Sequence, residues 1–362
     1  MSSTITNRRA FLLGAAAAAG AGYLAGLPHS NALAAPAPGG RKVVMVGGKR
    51  VKVVDIHGHL VIPKSNELLA GSNVKGDYPM NQIMGPDRLA RMDARGIDYQ
   101  LLSINQFWWY GADRDLAAKI VRVHDEGVAE WCKSHSDRFV GATSVALQHP
   151  DLAAEQLDYA VKTLGLRGAS IGGNVKGEAP STEKYDPFWR KAEELQVPIF
   201  MHPTNADYLV QDKIFEGRGD LGNIVGNPFE TTLFLTRLIF DGVFDRFPRL
   251  KVCGAHGGGF LPSYFGRTEV TCDVRPNARC IIKKRPKDYL RTNIMADSMV
   301  FSDEGLRHLV AEVGVNNIVY GTDMPFNWPD TVDIIVNATW LKDAEKEAIL
   351  GGNLVKMLKI AA

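Results

Sequence analysis

Residues 51–59 read VKVVDIHGH, an apolar run that closes on two histidines one residue apart. Such a run is the pattern of a buried parallel strand, in which both faces of the sheet are covered. Side chains alternate across a strand with period two, so His57 and His59 emerge on one face at its carboxyl end. Two imidazoles aimed at one point suit a first-row metal such as zinc, iron or manganese, provided that further ligands converge there. Taken alone, His-Gly-His is as readily a pair of polar side chains near a loop. The assignment turns on what arrives later in the chain.

Seven more strand-like runs follow, at 97–104, 139–147, 166–171, 197–203, 250–256, 292–297 and 317–323. Helical patterns lie between them, over 86–95, 113–134, 151–164, 186–195 and 229–247, and a last one over 342–358 closes the chain. Eight strands in βα alternation predict an α/β protein with one catalytic domain, a (β/α)8 TIM barrel. Catalytic groups in that fold come from the carboxyl ends of several strands. His57 and His59 end strand one, His202 strand five, His256 strand six and Asp323 strand eight.

His57, His59, His202 and Asp323 would give one divalent metal three nitrogens and a carboxylate, with room left for water. Such an ion lowers the pKa of its water from about 15.7 toward about 7. His256 precedes Gly257-Gly258-Gly259, whose lack of side chains lets the backbone approach closely, and imidazole titrates in the useful range. We therefore read His256 as the general base, the alternative being a fifth ligand. Asp297, ending strand seven, either orients a ligand or makes a structural hydrogen bond. His124, His135, His149 and His308 read as ordinary imidazoles.

The 362 residues are 45% hydrophobic, and 42 basic side chains against 40 acidic ones leave a formal charge of +2. That balance supports one large core and excludes the strongly basic footprint of a nucleic-acid binder. The stretch 60–85 is long for an ordinary connection and reads as a loop over the substrate. Asn105 to Tyr110, NQFWWY, follows strand two; Trp108 in it is either a substrate wall or packing at the barrel rim. Asn7-Arg8-Arg9-Ala10-Phe11-Leu12-Leu13, an Ala- and Gly-rich apolar stretch and Ala32-Leu33-Ala34 read as a Tat-type signal over 1–34. A linker and lead-in over 35–50 and the barrel domain over 51–362 would follow. The Tat export machinery would then be a partner, the destination periplasmic or secreted, and no stable membrane span is expected. Cys253 reads as an inert core thiol. An oxidising destination would permit a Cys272–Cys280 disulfide, which spacing alone does not establish.

Asp55-Ile56-His57-Gly58-His59, Met201-His202-Pro203, His256-Gly257-Gly258-Gly259 with Gly266-Arg267, and Gly321-Thr322-Asp323-Met324-Pro325-Phe326 together resemble the aminocarboxymuconate-semialdehyde decarboxylase family of the amidohydrolase superfamily. The resemblance implies a barrel holding one divalent metal, usually zinc with manganese as the other choice, on the residues matching His57, His59, His202 and Asp323. It implies that His256 acts on the metal's water. It further implies that Arg267 and Arg275 bind substrate carboxylates, partly across a homodimer interface, as the planar guanidinium fork suits. A further substrate arginine of that family, in the loop after strand one, has no counterpart here, where 60–85 offers Lys64 and Lys75. The expected activity is decarboxylation of a small unsaturated or aromatic carboxylic acid. The alternatives are hydrolysis of a lactone, amide or carbon–carbon bond in a ring-cleavage product, or a barrel that binds without catalysis.

Overall fold

Each of the eight apolar runs contributes a strand: β1 Val54–His59, β2 Tyr99–Ser103, β3 Phe139–Gly141, β4 Ala169–Ile171, β5 Ile199–Met201, β6 Val252–Gly254, β7 Ile294–Asp297 and β8 Ile318–Val319. The computed structural model describes residues 40–74, 82–105, 108–204, 206, 208–211 and 213–360. The expected signal over 1–34 and Lys75 lie outside the described residues. Strands β1 to β3 form one parallel ladder and β4 to β8 another. Single parallel bridges join them at both seams, Thr143 to Ala169 and Gly58 to Met324. The second seam rests on Ile56 N donating to Tyr320 O at 3.0 Å and His59 N to Met324 O at 2.7 Å. The barrel is thereby closed, the expected TIM architecture.

Side-chain alternation divides the core into two layers. Val54, Ile56, Leu101, Ala142, Phe200, Cys253, Met295 and Val319 pack together inside the barrel, floored by Leu354 and Leu358 of the last helix. Val53, Leu102, Phe139, Ala169, Ile199, Val252, Ile294 and Ile318 face the other way, against helix residues such as Met92, Val128, Leu157 and Trp189. Cys253 is buried, as expected of a core thiol. The helix Pro86–Arg95 starts on a proline and stops at Gly96 in the left-handed conformation.

Two helix expectations are corrected below. Arg41–Ala362 is one compact unit, so the lead-in expected over 35–50 packs with the barrel from Arg41 on. Met45–Val46 and Lys49–Arg50 form an antiparallel hairpin about Gly47-Gly48, and Val44 and Val46 join the main core. The helix expected over 229–247 is two, Asn227–Phe240 and Val243–Arg246, because Gly242 turns left-handed between them. The last helix is Asp343–Glu347, a wider turn at Ala348–Gly352, and Asn353–Met357. That turn brings Gly351 against β1's approach, where a Cβ would lie 2.1 Å from the Lys52 carbonyl oxygen. Cys272 and Cys280 are disulfide-bonded. Among the described residues no helix is long and apolar enough to cross a membrane.

Gly351→Ala is therefore expected to cost about 1–3 kcal/mol, as overpacking does. It should lower the thermal midpoint while leaving metal content unchanged; an unaltered midpoint would show that this close approach is not limiting.

Candidate metal centre and active site

The end of β1 carries an extra residue. Asp55 pairs with Gln100 but Gly58 pairs with Leu102, so three steps on β1 match two on β2. Val54 and Ile56 belong to the interior layer, and unbroken alternation would have sent Gly58 inward next. The bulge reverses the phase and delivers His57 and His59 to the centre instead. His202 follows β5 directly, and Asp323 lies four residues beyond β8 with φ +56°.

These four are buried, and one ligand atom from each lies within 4.8 Å of all the others. His57 Nε2 stands 3.1 Å from His59 Nε2, and Asp323 Oδ1 is 3.2 and 3.0 Å from those two nitrogens. The outer nitrogens of two rings are already committed. His57 Nδ1 donates to Asp297 Oδ2 at 2.7 Å and His202 Nδ1 to the Pro203 carbonyl at 3.0 Å. Each ring thereby turns its Nε2 inward, the atom that offers a metal its lone pair once no proton is on it. Three such nitrogens and a carboxylate oxygen converging out of contact with water fit a divalent first-row ion.

Electrostatics agree with that donor set. Burial pushes His57 down, but Asp323 and Asp297 outweigh it and raise its pKa to about 10. Burial lowers His59 to about 4, and burial with the neighbouring imidazoles takes His202 well below the ordinary histidine value. Asp323, pushed up by burial, is nonetheless held well below the usual carboxylate range by His57 and the hydrogen bonds around it. One positive charge thus belongs at the centre, where His57 holds it as a proton.

Asp297, at the end of β7, does both things expected of it. Besides His57 it accepts from His256 N at 3.1 Å, Gly257 N at 2.8 Å and Met299 N at 3.2 Å. His256 lies two residues past β6 and, with Gly257, Gly258 and Gly259, forms a left-handed run. A Cβ on Gly259 would meet the Pro228 carbonyl at 2.4 Å, so this winding requires glycine. The His256 ring centre is 5.3 Å from that of His57 and 5.2 Å from that of His202. Its Nε2 stands 3.7 Å from Asp323 Oδ2, and its side chain is 17% exposed against 5% or less for His57, His59 and Asp323. It faces a cavity of about 400 Å³ with Pro228, Phe260, Met299, Phe301 and Trp328 in the walls.

Trp108 is buried, with Nε1 donating to Ser170 O at 2.8 Å, and its ring stacks on Tyr110. It also lines a second cavity, of about 330 Å³, with Trp109, Asn174, Lys176, Thr204 and Tyr208. Arg267 and Arg275 are not brought to either cavity within one chain. Arg267 is exposed on the helix Phe265–Val274, and Arg275 is exposed at that helix's end. Two buried carboxylates that brace the segments carrying the ligands escaped sequence reasoning. Glu230 accepts from Thr204 N and Ala206 N, holding the chain that leaves His202. Asp55 ties β1 to Thr322; its signal was a charge inside an otherwise apolar strand.

The Amidohydrolase family model Amidohydro_2 matches residues 54–360. The chain is 32% identical over 323 residues to the gamma-resorcylate decarboxylase of Rhizobium sp. (strain MTP-10005), covering 85% of this chain and 98% of that one. It is 31% identical over 278 residues to the 2-amino-3-carboxymuconate-6-semialdehyde decarboxylase of Dictyostelium discoideum, covering 75% and 76%. A solved dihydroxybenzoic acid decarboxylase of Polaromonas sp. JS666, with bound manganese and the inhibitor 2-nitroresorcinol, superposes with a TM-score of 0.73 at 26% identity. The superposition covers 86% of this chain and 97% of that one.

A metal entering the centre must displace the His57 proton. Zinc or manganese added to metal-stripped protein at pH 7 is expected to release a proton per ion bound, read by calorimetry in buffers of different ionisation enthalpy. Affinity should rise with pH up to about 10, where His57 loses its proton unaided. Binding without proton release would show His57 to be neutral.

Proposed function

The chain belongs to the amidohydrolase family, and from that premise we propose that it is a metal-dependent decarboxylase of a small aromatic or unsaturated carboxylic acid. The observation that carries this reading is a histidine held just outside a buried three-histidine, one-aspartate set and open to an apolar-walled cavity. A divalent ion on His57, His59, His202 and Asp323, zinc or manganese by donor type, would polarise substrate oxygens and lower the pKa of water from about 15.7 toward about 7.

The remaining work falls to side chains. As the bond from the substrate carbon to its carboxylate breaks, the electron pair stays on that carbon, carbon dioxide leaves, and His256 relays a proton taken from water to that carbon. Asp297 holds the His256 backbone and the His57 ring with one carboxylate, so proton donor and ligand set keep a fixed separation. Phe260, Met299, Phe301 and Trp328 give the cavity apolar faces that suit a planar ring. Trp108 would bound the substrate on the other side of the mouth. Arg267 and Arg275, exposed in one chain, would serve a substrate carboxylate from a second copy of it. Export by the twin-arginine route is supported by the Cys272–Cys280 disulfide, which suits an oxidising compartment. Amino-terminal sequencing of periplasmic protein tests that route, and an intact residue 1–34 segment there would exclude cleavage.

Carbon dioxide release from a panel of hydroxybenzoates and muconate-like acids is the direct test. Turnover of esters, lactones or amides without it would move the assignment to hydrolase. His256→Ala should keep its metal while losing about 10²–10⁴-fold in turnover. Loss of metal instead would make His256 a fifth ligand.

A further inference from the structure

Asp55 is fully buried two residues before His57, and every contact of its carboxylate is with a donor. Oδ1 accepts from His57 N at 2.8 Å and Thr322 N at 3.1 Å; Oδ2 accepts from Thr322 Oγ1 at 2.6 Å and Gln100 Nε2 at 2.7 Å. The network continues outward. Gln100 Oε1 accepts from Arg88 Nη1 at 2.9 Å, and Arg88 Nη2 donates to the His59 carbonyl at 2.6 Å. Thr322 Oγ1 also accepts from Met324 N at 3.2 Å. The backbones of His57 and His59, and of the residues on both sides of Asp323, are therefore held by one buried set of polar groups.

The sheet does only part of this. Strand β8 ends at Val319, four residues short of Asp323, and the β1–β8 seam has a single bridge. Strand β1 changes register between Asp55 and Gly58. Ladder bonds are thus sparse where the relative height of His57, His59 and Asp323 is decided: across this seam they are Ile56 N to Tyr320 O and His59 N to Met324 O. Gly58 is a second, independent sign that the network is built into the strand. A Cβ there would lie 2.3 Å from Gln100 Cδ and 2.8 Å from its Nε2, so the middle residue of His57-Gly58-His59 must be glycine for Gln100 to reach Asp55.

We propose that Asp55, backed by Gln100 and Arg88, is the positioning residue that sets His57 and His59 against Asp323 and thereby fixes the metal affinity of the centre. The inference rests on the four-residue metal set and is independent of which reaction the enzyme performs. Residues outside a metal's own ligands commonly change affinity by about 10–100-fold when replaced.

Asp55→Asn tests it, because the amide keeps one acceptor and turns a donor toward Thr322 Oγ1 and Gln100 Nε2, which are donors already. Zinc and manganese affinity, measured by competition with a chromophoric chelator, should fall about 10–100-fold. Asp55→Asn/Gln100→Glu restores a donor–acceptor pair and still offers Arg88 an acceptor; it should recover affinity to within a few-fold of wild type. Gly351→Ala, destabilised away from the centre, should bind metal as wild type does. Unchanged affinity in Asp55→Asn overturns the proposal. So does a double variant with the wild-type thermal midpoint but no recovered affinity, or a Gly351→Ala protein that loses as much affinity as Asp55→Asn. Should Asp55→Asn not fold, Arg88→Met, which cuts the network at the His59 carbonyl, must weaken metal binding, and wild-type affinity in it overturns the proposal. Wild-type protein that binds metal yet releases no carbon dioxide would remove the decarboxylase reading and leave this one to be judged on affinity.

Discussion

The Asp297 carboxylate is shared between the imidazole of His57 and the backbone amides of His256, Gly257 and Met299. A buried carboxylate is costly to desolvate and is kept ionised here by a hydrogen-bonded imidazole and three backbone donors. Those same contacts select the His57 tautomer and wind the His256 loop over the end of β7. A single anion therefore links the ligand set to the group that stands beside it. The glycines after His256 suit this constraint, since the amides here turn toward one carboxylate in a left-handed winding that side chains resist.

Charge at the centre is arranged with similar economy. Asp323 and Asp297 flank His57 on its two nitrogens, and the imidazoles of His59 and His202 are kept neutral by burial. The net local demand is for one cation, met by a proton on His57 or by a divalent ion in its place. Asp55 lies behind the strand against Thr322 and Gln100, and Gln100 links it to the Arg88 guanidinium. Its charge is thus balanced away from the ligands, and its hydrogen bonds act on backbone position rather than on the metal's field.

Much of this was legible in the chain. Apolar runs of the right length in βα alternation are read by the same burial physics that forms the barrel, so all eight strands were found, although each is shorter than its run. Ligands at strand ends were readable because residue type and position in the fold coincide. Helix limits were less so: Gly242 breaks a run whose hydrophobicity continues to Phe247, and the hairpin at 45–50 is too short to carry a period. Arg267 and Arg275 could be placed on a motif but not in space, because an exposed arginine on a helix end leaves no packing signature.

Residue pattern alone determined the barrel, the identity of the four ligands and the histidine beside them, since each depends on local period and residue chemistry. Which way β1 turns its histidines was decided by tertiary structure. From Val54 and Ile56 inward, alternation by itself points Gly58 at the centre. The extra residue opposite β2 reverses that, and it is held by Asp55 reaching Thr322 and by Gln100 lying where a Gly58 side chain would have been. Those partners lie 45 and 267 residues from Asp55, so no local reading of residues 51–59 contains them.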